Sequence, residues 1–567
     1  MKGISPALLC VLCLLGCGSK SVPENPADLI ISGGNVITLD ADHPNPEALA
    51  VKDGLILAMG SKAEMEALAG EATTRLNLQG ETVIPGFIEG HGHLLGIGWA
   101  KMNLDLTQTK TWGEVVALVA EAAKTAQPGE WIQGRGWHQE KWDTQPAQTV
   151  EGYPLHASLS AVSPNNPVLL RHASGHAVFA NEKALELAGV TSKTANPVGG
   201  KIVRDKNGEA IGVFEENAAD LLSNALAIAE QGQSPEQRKA VKKRALELAV
   251  ADCLSKGITS FQDAGSSFAD VDLFREVAEA GHMDMRLWVM LEGENEVLAA
   301  KIPSYKLKGV GAGFFTVGGI KRYVDGALGS RGAWLLEPYA DLKDHMGQQV
   351  LSLESIEETA RIALENNLQL CTHAIGDRGN REVLNVYEKV LAGQKRRWRI
   401  EHAQHLHPED IPRFAQLNVI ASMQGVHCTS DAPFVVKRLG EERARNGAYV
   451  WRSLLDSGAV VTNGTDAPVE DVAPLASLYS MLSRKQSSGE AFFPEQKLDG
   501  MEALKCYTLN TAYAAYEEDV KGSISVGKYA DFTVLSGDVT KGDPETVKTT
   551  QVVMTIVGGR VKYKQGE

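Results

Sequence analysis

His91 and His93 stand one residue apart in Glu89-Gly-His-Gly-His93, directly after an apolar run that ends at Ile88. On an extended strand, side chains at that spacing share a face, so both imidazoles can serve one point. The same residue types recur where later apolar runs end: Asp263, then Lys321 and Asp325, His373, Glu401-His402, and Asp466 in Asn463-Gly-Thr-Asp466. Imidazole and carboxylate ligands suit zinc and related divalent ions, and incomplete ligation by protein leaves room for water. Water held by such an ion loses a proton near neutral pH and becomes a nucleophile. Each residue alone has a plainer use. A His-x-His pair is more often structural, His373 fits a hydrogen-bonded core, Asp466 fits a helix cap, and Lys321 fits a solvated charge. Their order along the chain makes a metal centre the better reading.

The elements that must position them are short. Candidate strands lie at 82–88, 257–261, 285–291, 319–324, 368–372, 398–400, 419–423 and 459–462, most of them separated by helical patterns. This alternation predicts an α/β fold with a parallel sheet, and eight such units predict a closed (β/α)8 TIM-type barrel. Catalytic groups of such barrels project from the C-terminal ends of the strands, where the residues above fall. Ser234-Pro235-Glu236 opens a helix that stops near Gly257, and Ser355-x-x-Glu358 reads as a capping box. About 97–240, between the first two strands, is an insertion with its own helix (112–126), a strand (167–170) and a turn at Gly199-Gly200. Loops after barrel strands sit at the catalytic face, so the insertion is expected to form a lid or pocket wall.

The two ends are β-like. Apolar runs flank Gly33-Gly34-Asn35 and Asp53-Gly54, each reading as a hairpin, and strand-like 531–535 and 552–557 precede a turn at Gly558-Gly559. The expectation is one small β domain built from 27–81 and 522–567, with the barrel that carries the metal centre at 82–521 between them. Lys2 and an apolar stretch at 7–16 precede Cys17. The stretch is too short to span a bilayer and suits a signal peptide. Leu14-Leu-Gly-Cys17 resembles a bacterial lipobox. Residues 1–17 are therefore read as a lipoprotein signal with Cys17 as the lipid attachment point, and 18–26 as a tether. The competing reading is an ordinary secretory signal with an incidental cysteine. Lipid anchoring places the protein in a bacterial cell envelope, on the periplasmic or extracellular face.

With 567 residues, 43% hydrophobic and 22% charged, the chain is globular and long enough for two or three structural units. A net charge of −15 repels phosphate backbones and argues against nucleic acid as a partner. Of the seven cysteines, those beyond Cys17 form no Cys-x-x-Cys pair, so neither a zinc ribbon nor a disulfide framework is signalled. The expected partners are a small-molecule substrate and a membrane reached through the lipid anchor alone; a homo-oligomer is compatible with the sequence.

Six stretches together resemble the amidohydrolase superfamily, and within it the amidohydrolase 3 (YtcJ-like) group: Val83-Ile-Pro-Gly-Phe-Ile-Glu-Gly-His-Gly-His93, Ile320-Lys-Arg-Tyr-Val-Asp-Gly-Ala-Leu-Gly-Ser-Arg331, His373-Ala-Ile-Gly-Asp-Arg378, Arg399-Ile-Glu-His-Ala-Gln404, Gly464-Thr-Asp-Ala-Pro-Val469 and Gly527-Lys-Tyr-Ala-Asp531. The resemblance implies one or two divalent ions, zinc above all. It makes His91, His93 and Asp466 ligands of the more buried ion and His373 and His402 ligands of a second. Lys321 matches a lysine that is often carboxylated to bridge two ions. Asp466 would act as general base and then acid. Glu89 stands where the family commonly has Asp, and Gly425 replaces a frequent proline. The segment Arg171-His-Ala-Ser-Gly-His176 with Asn181 matches a stretch near the pocket; His176 is a candidate substrate contact or a structural histidine. Arg331 either orients a substrate anion or pairs with a carboxylate. The implied activity is hydrolysis of a C–N bond in a non-peptide amide, formamide or cyclic amide. The alternatives are an ester or lactone hydrolase, a deaminase, or a non-catalytic solute-binding lipoprotein.

Overall fold

The computed structural model describes residues 25–567 other than 233 and 542. The proposed signal peptide, Cys17 and most of the tether lie outside the described residues. Among the described residues no helix is long and apolar enough to cross a membrane.

Eight parallel strands form the central sheet in chain order: β1 (Phe87–Gly92), β2 (Ile258–Ser266), β3 (Arg286–Leu291), β4 (Phe315–Tyr323), β5 (Gln369–Ala374), β6 (Arg399–His402), β7 (Ile420–Gln424) and β8 (Val461–Gly464). Beyond β8, the Asp466 amide donates to the His91 carbonyl at 2.8 Å, which draws the last strand against the first. The chain folds as a TIM-type barrel, as the strand rhythm predicts. The strands are almost wholly buried because side chains fill the barrel inside and helices cover it outside.

The first strand differs from expectation. Thr82–Pro85 is a separate strand that belongs to a five-stranded sheet with Asn35–Val36, Phe532–Leu535, Val552–Val557 and Arg560–Lys564. Pro85 carries no N–H for a ladder, and Gly86 turns the chain into β1 with its amide bonded to the Asp531 carbonyl. Periodicity cannot show this break, because the run is apolar on both sides. Gly33-Gly34 likewise is not a hairpin turn. Ala27–Ser32 pairs with Ala48–Lys52 and Ala69–Asn77 in a four-stranded sheet, whereas Asn35–Val36 pairs with Thr82–Pro85, so the two glycines carry the chain from one sheet to the other. The turn at Asp53-Gly54 does join an antiparallel pair, as does Gly558-Gly559. One apolar cluster draws on both ends of the chain, including Leu29, Ile31, Leu49, Phe532, Val534 and Ile556. Asp531 ties these sheets to the barrel floor. It accepts from Arg286 Nε at 2.6 Å and Nη2 at 3.1 Å at the start of β3, and the guanidinium lies 3.5 Å from the Tyr529 ring centre. The Gly527–Asp531 motif is thus scaffold, at the end of the barrel away from the chemistry.

After β1, helix α1 (Leu94–Met102) packs on α2 (Pro235–Ser255), whose Ser234–Gln237 capping box sets its start. The segment between them holds the expected helix (Trp112–Ala123) and strand (Val168–His172), but also a six-stranded sheet that the sequence does not announce. Its strands are short, and its apolar clusters are its own. A smaller correction concerns Ser355: the cap is Ser352, one turn earlier, whose hydroxyl accepts from the Ser355 amide.

Candidate metal centre

The C-terminal ends of β1, β5, β6 and β8 bring four imidazoles and a carboxylate together. His91, His402 and Asp466 offer ligand atoms that all lie within 4.8 Å of one another. The His402 ring lies 4.7 Å from that of His91 and 4.5 Å from that of His373. His93 Nε2 is 3.1 Å from Asp466 Oδ1. The resemblance assigns His91 and His402 to different ions; the geometry places them side by side, with His93 and His373 on opposite flanks.

Two departures from ordinary backbone shape this rim. His402 has φ 75° and Asp466 φ 57°, both in the left-handed region that costs a side-chain-bearing residue about 1 kcal/mol or more. Both residues turn as they leave a strand, so strain sits where the side chains must be aimed.

Partners fix the rings. His91 Nδ1 is bonded to Glu401, and Glu401 is held in turn by Arg399, whose Nε lies 2.6 Å from Oε1. Arg399 also donates to Gln262, Ser422 and the Gly90 carbonyl. His402 Nδ1 meets Gln424 Oε1 at 2.7 Å. These contacts leave the Nε2 atom of each ring for the centre, the arrangement by which carboxylates and amides orient metal-ligating histidines. Burial, helped by the Lys321 charge, pushes the His91 imidazole down to about 4, against the pull of Glu401. Burial also holds His373 and His402 well below the usual imidazole range. Each of these shifts favours the neutral imidazole, the form ligation requires. Burial alone would raise the Asp466 carboxyl, but its contact with His93 and the nearby His91 and His402 outweigh it and hold the group well below the carboxylate range.

Lys321, on β4, is 1% exposed, and its Nζ lies 4.8 Å from the Tyr323 ring centre. Burial lowers its ammonium pKa, opposed chiefly by Glu401 and Asp466. Asp325 lies just beyond β4 and accepts from the amides of Trp334, Ile375 and Gly376 at 2.8–3.0 Å, fixing the end of β5 beside His373. Glu89 does not enter the centre. It bonds to the amide and hydroxyl of Thr465 and steadies the turn that carries Asp466; burial pushes its carboxyl up to about 8.

A pocket opens onto this rim, lined by His402 and Asp466, by Ile375, Leu328 and Phe434, and by His176 from the insertion. The inserted sheet is thus a pocket wall. His176 precedes the strand Ala177–Ala180, and Glu216 ends its antiparallel neighbour Ala210–Glu216. His176 Nδ1 lies 2.8 Å from Glu216 Oε2, and its ring lies 5.0 Å from that of His373. Glu216 has φ 50°, and its other oxygen packs where a Cβ on Gly326 would approach to 2.0 Å. Gly326, inside the Ile320–Arg331 motif, is therefore required for the approach of a carboxylate more than a hundred residues earlier in the chain. Burial alone would lower the His176 imidazole, but Glu216 outweighs it and holds the group above its usual range. Arg331 is not in this cavity. Its guanidinium is paired with Asp341 at 2.9 Å, and it lines a neighbouring hollow with Tyr153 and Glu215. Sequence reasoning misses Glu401 as an orienting group, although it adjoins His402, and misses Glu216, which carries no local signature.

Fold and rim together define a barrel hydrolase of the amidohydrolase type. The sequence agrees: residues 75–563 match the model of the amidohydrolase family, and the chain belongs to that family. It is 32% identical to YtcJ of Bacillus subtilis (strain 168), over 94% of this chain and 99% of that protein. It is 28% identical to the N-substituted formamide deformylase of Arthrobacter pascens, over 95% and 98% of the two chains. The crystal structure of an uncharacterized metal-dependent hydrolase from Pyrococcus furiosus superposes with a TM-score of 0.70 at 25% identity, covering 90% of this chain and all of that one.

Proposed function

We propose that this protein hydrolyses a C–N bond of a small non-peptide amide, with N-substituted formamides the first compounds to test, using water activated by one or two divalent ions. The observation that carries the reading is a set of buried polar atoms without a well-formed hydrogen bond: His91 Nε2, His373 Nε2 and Asp466 Oδ1, the last of which meets only the His93 and His91 rings, at 3.1 and 3.6 Å. An orphaned buried nitrogen or oxygen costs about 1–3 kcal/mol, and three at one rim fit an ion that completes them. Neutral imidazoles with a carboxylate are the donor set zinc accepts. His91, His93, His373, His402 and Asp466 would hold the ion or ions, with Lys321 between two. A bound ion supplies the polarisation that makes water a nucleophile at neutral pH. Asp466 takes the proton from the attacking water and returns it to the leaving nitrogen, which a small amine needs in order to depart. His176, donating from Nε2, faces the substrate carbonyl oxygen as negative charge develops there. The relative that deformylates N-substituted formamides supports the substrate class, and the apolar part of the wall, Leu328, Ile375, Phe434 and Val469, suits a substituent of modest size.

The decisive experiment is metal analysis of the purified protein beside a screen of N-substituted formamides, ureas, cyclic amides and N-acyl amino acids. His91→Ala is expected to lower bound metal by at least about tenfold, since it removes a ligand together with the carboxylate-oriented ring that presents it. Unchanged metal content in that variant would remove His91 from the centre.

Glu216→Gln tests the wall. It keeps a hydrogen-bond acceptor for His176 but removes the charge, and is expected to lower kcat by about 30-fold with KM changed by less than about threefold. A pure KM effect would place His176 in binding rather than in stabilising the transition state.

A further inference from the structure

The helix that follows β7, Gly425–Leu439, presents His427, Asp431 and Phe434 to the cavity, spaced four and three residues apart on one face. Each offers a distinct chemistry. Both protein hydrogen bonds to the Asp431 carboxylate end on Oδ2, from Tyr449 Oη at 2.7 Å and Gln404 Nε2 at 3.1 Å. Oδ1 is left for a donor in the cavity. His427 Nε2 is buried without a partner. Phe434 and His138, with ring centres 5.7 Å apart at 31°, make an apolar surface beside them.

Few cations face this part of the cavity, and His176, which is raised toward its cationic form, is paired with Glu216. Among the described residues the cavity wall holds one lysine and no arginine. That lysine, Lys141, is paired with Glu470 at 3.3 Å. The nearby arginines are committed elsewhere: Arg331 to Asp341, and Arg135 to the carbonyls of Pro468 and Ala173. Nothing in the wall matches the two-pronged cation that a substrate carboxylate prefers. What the wall offers is the Asp431 carboxylate, since Glu470 is taken up by Lys141. Burial pushes the Asp431 carboxyl up, with His427 and Lys141 only partly opposing it, so a cationic ligand relieves a charge the protein leaves under-compensated.

We propose that His427, Asp431 and Phe434 form the specificity site and select substrates in which an apolar stem carries a cationic N–H donor (an amine, amidine or guanidine), discriminating against anionic N-acyl amino acids. Phe434 and His138 receive the stem, and Asp431 Oδ1 accepts from the donor. This rests on the hydrolytic reading of the centre, but its test is separable. The metal-loaded full chain is assayed with N-formyl benzylamines that differ only in a ring substituent: aminomethyl, hydroxymethyl or carboxylate. The aminomethyl compound is expected to exceed the carboxylate in kcat/KM by about 30-fold or more, and Asp431→Asn is expected to bring the aminomethyl-to-hydroxymethyl ratio to about one, through KM. In parallel, benzylguanidinium, a cation with no lone pair for a metal, is titrated calorimetrically and is expected to bind the wild type about tenfold more tightly than Asp431→Asn. Equal turnover of the amine and carboxylate compounds, or a preference that survives in Asp431→Asn, overturns the specificity site and leaves the hydrolase standing. If no formamide is cleaved, the hydrolytic reading fails and the titration decides; equal affinity in the two proteins overturns the site. If Asp431→Asn does not fold, the substrate order in the wild type decides alone.

Discussion

Asp466→Asn lowers kcat/KM by about 10²–10⁴-fold on any substrate of this centre, the range expected when a general acid–base is removed. The substitution preserves size and one oxygen and deletes the proton acceptor. Asp466 is suited to that loss being specific. It is 6% exposed, its Oδ1 lies 3.1 Å from His93 Nε2 and 3.6 Å from His91 Nε2, and its surroundings keep it ionised well below the usual carboxylate range. A carboxylate so placed is ionised throughout the neutral range, the form a general base must have. Its backbone role survives the change, because the amide bond to the His91 carbonyl and the φ of 57° belong to the main chain, and Asn tolerates that region as well as Asp does. The unfolding midpoint is therefore expected to move by about 5 °C or less. Metal content should fall less than in His91→Ala, since the amide oxygen still offers a weak ligand. Steady-state kinetics, melting and metal analysis on one preparation separate these effects. A fully active Asp466→Asn protein, or an active wild type free of metal, would rule out the mechanism.

Why Asp466 can be found in the sequence at all follows from the barrel rule. Side chains alternate along a strand and catalytic groups sit at strand ends, so an ordered series of apolar runs ending in His, Lys or Asp marks out the centre in the sequence itself. His91, His373, His402 and Asp466 are legible in this way. Their partners are not. Glu401 reaches His91 across 310 residues and Glu216 reaches His176 across 40, and no periodicity records a pairing made by tertiary contact. Arg331 shows the converse: a cation in a family motif invites an anion-binding role, yet Asp341, only ten residues on, claims it. The start of β1 is hidden for another reason. The run from Thr82 to Ile88 is apolar throughout because both sheets bury it, and only the Pro85-Gly86 break marks where one ends. The inserted sheet is hidden because its strands are short and several are bounded by no strong turn signal.

The second large effect is expected at Lys321. Lys321→Ala lowers kcat by about 10²–10³-fold, as removal of a pre-placed electrostatic group does, and millimolar acetate or propionate restores part of it by supplying a carboxylate where the side chain was. The chemistry behind this is that a lysine joins carbon dioxide only as the neutral amine, and a buried ammonium gives up its proton more readily. Lys321 meets that condition: it is 1% exposed and burial lowers its pKa, so the amine is more accessible here than on a surface lysine. Carboxylation would turn a cation near His91, His373 and His402 into an anion, which favours ions held by neutral ligands rather than repelling them. Lys321→Arg keeps the positive charge, cannot be carboxylated, and is expected to be as impaired as the alanine variant but without rescue. Growth or reconstitution with carbon-13 bicarbonate gives the direct measurement, a carbamate resonance present in the wild type and absent from both variants. Full activity in Lys321→Arg, or no carbamate signal in metal-loaded protein, would show that Lys321 acts as a plain cation and that the ions, if two, are bridged by something else.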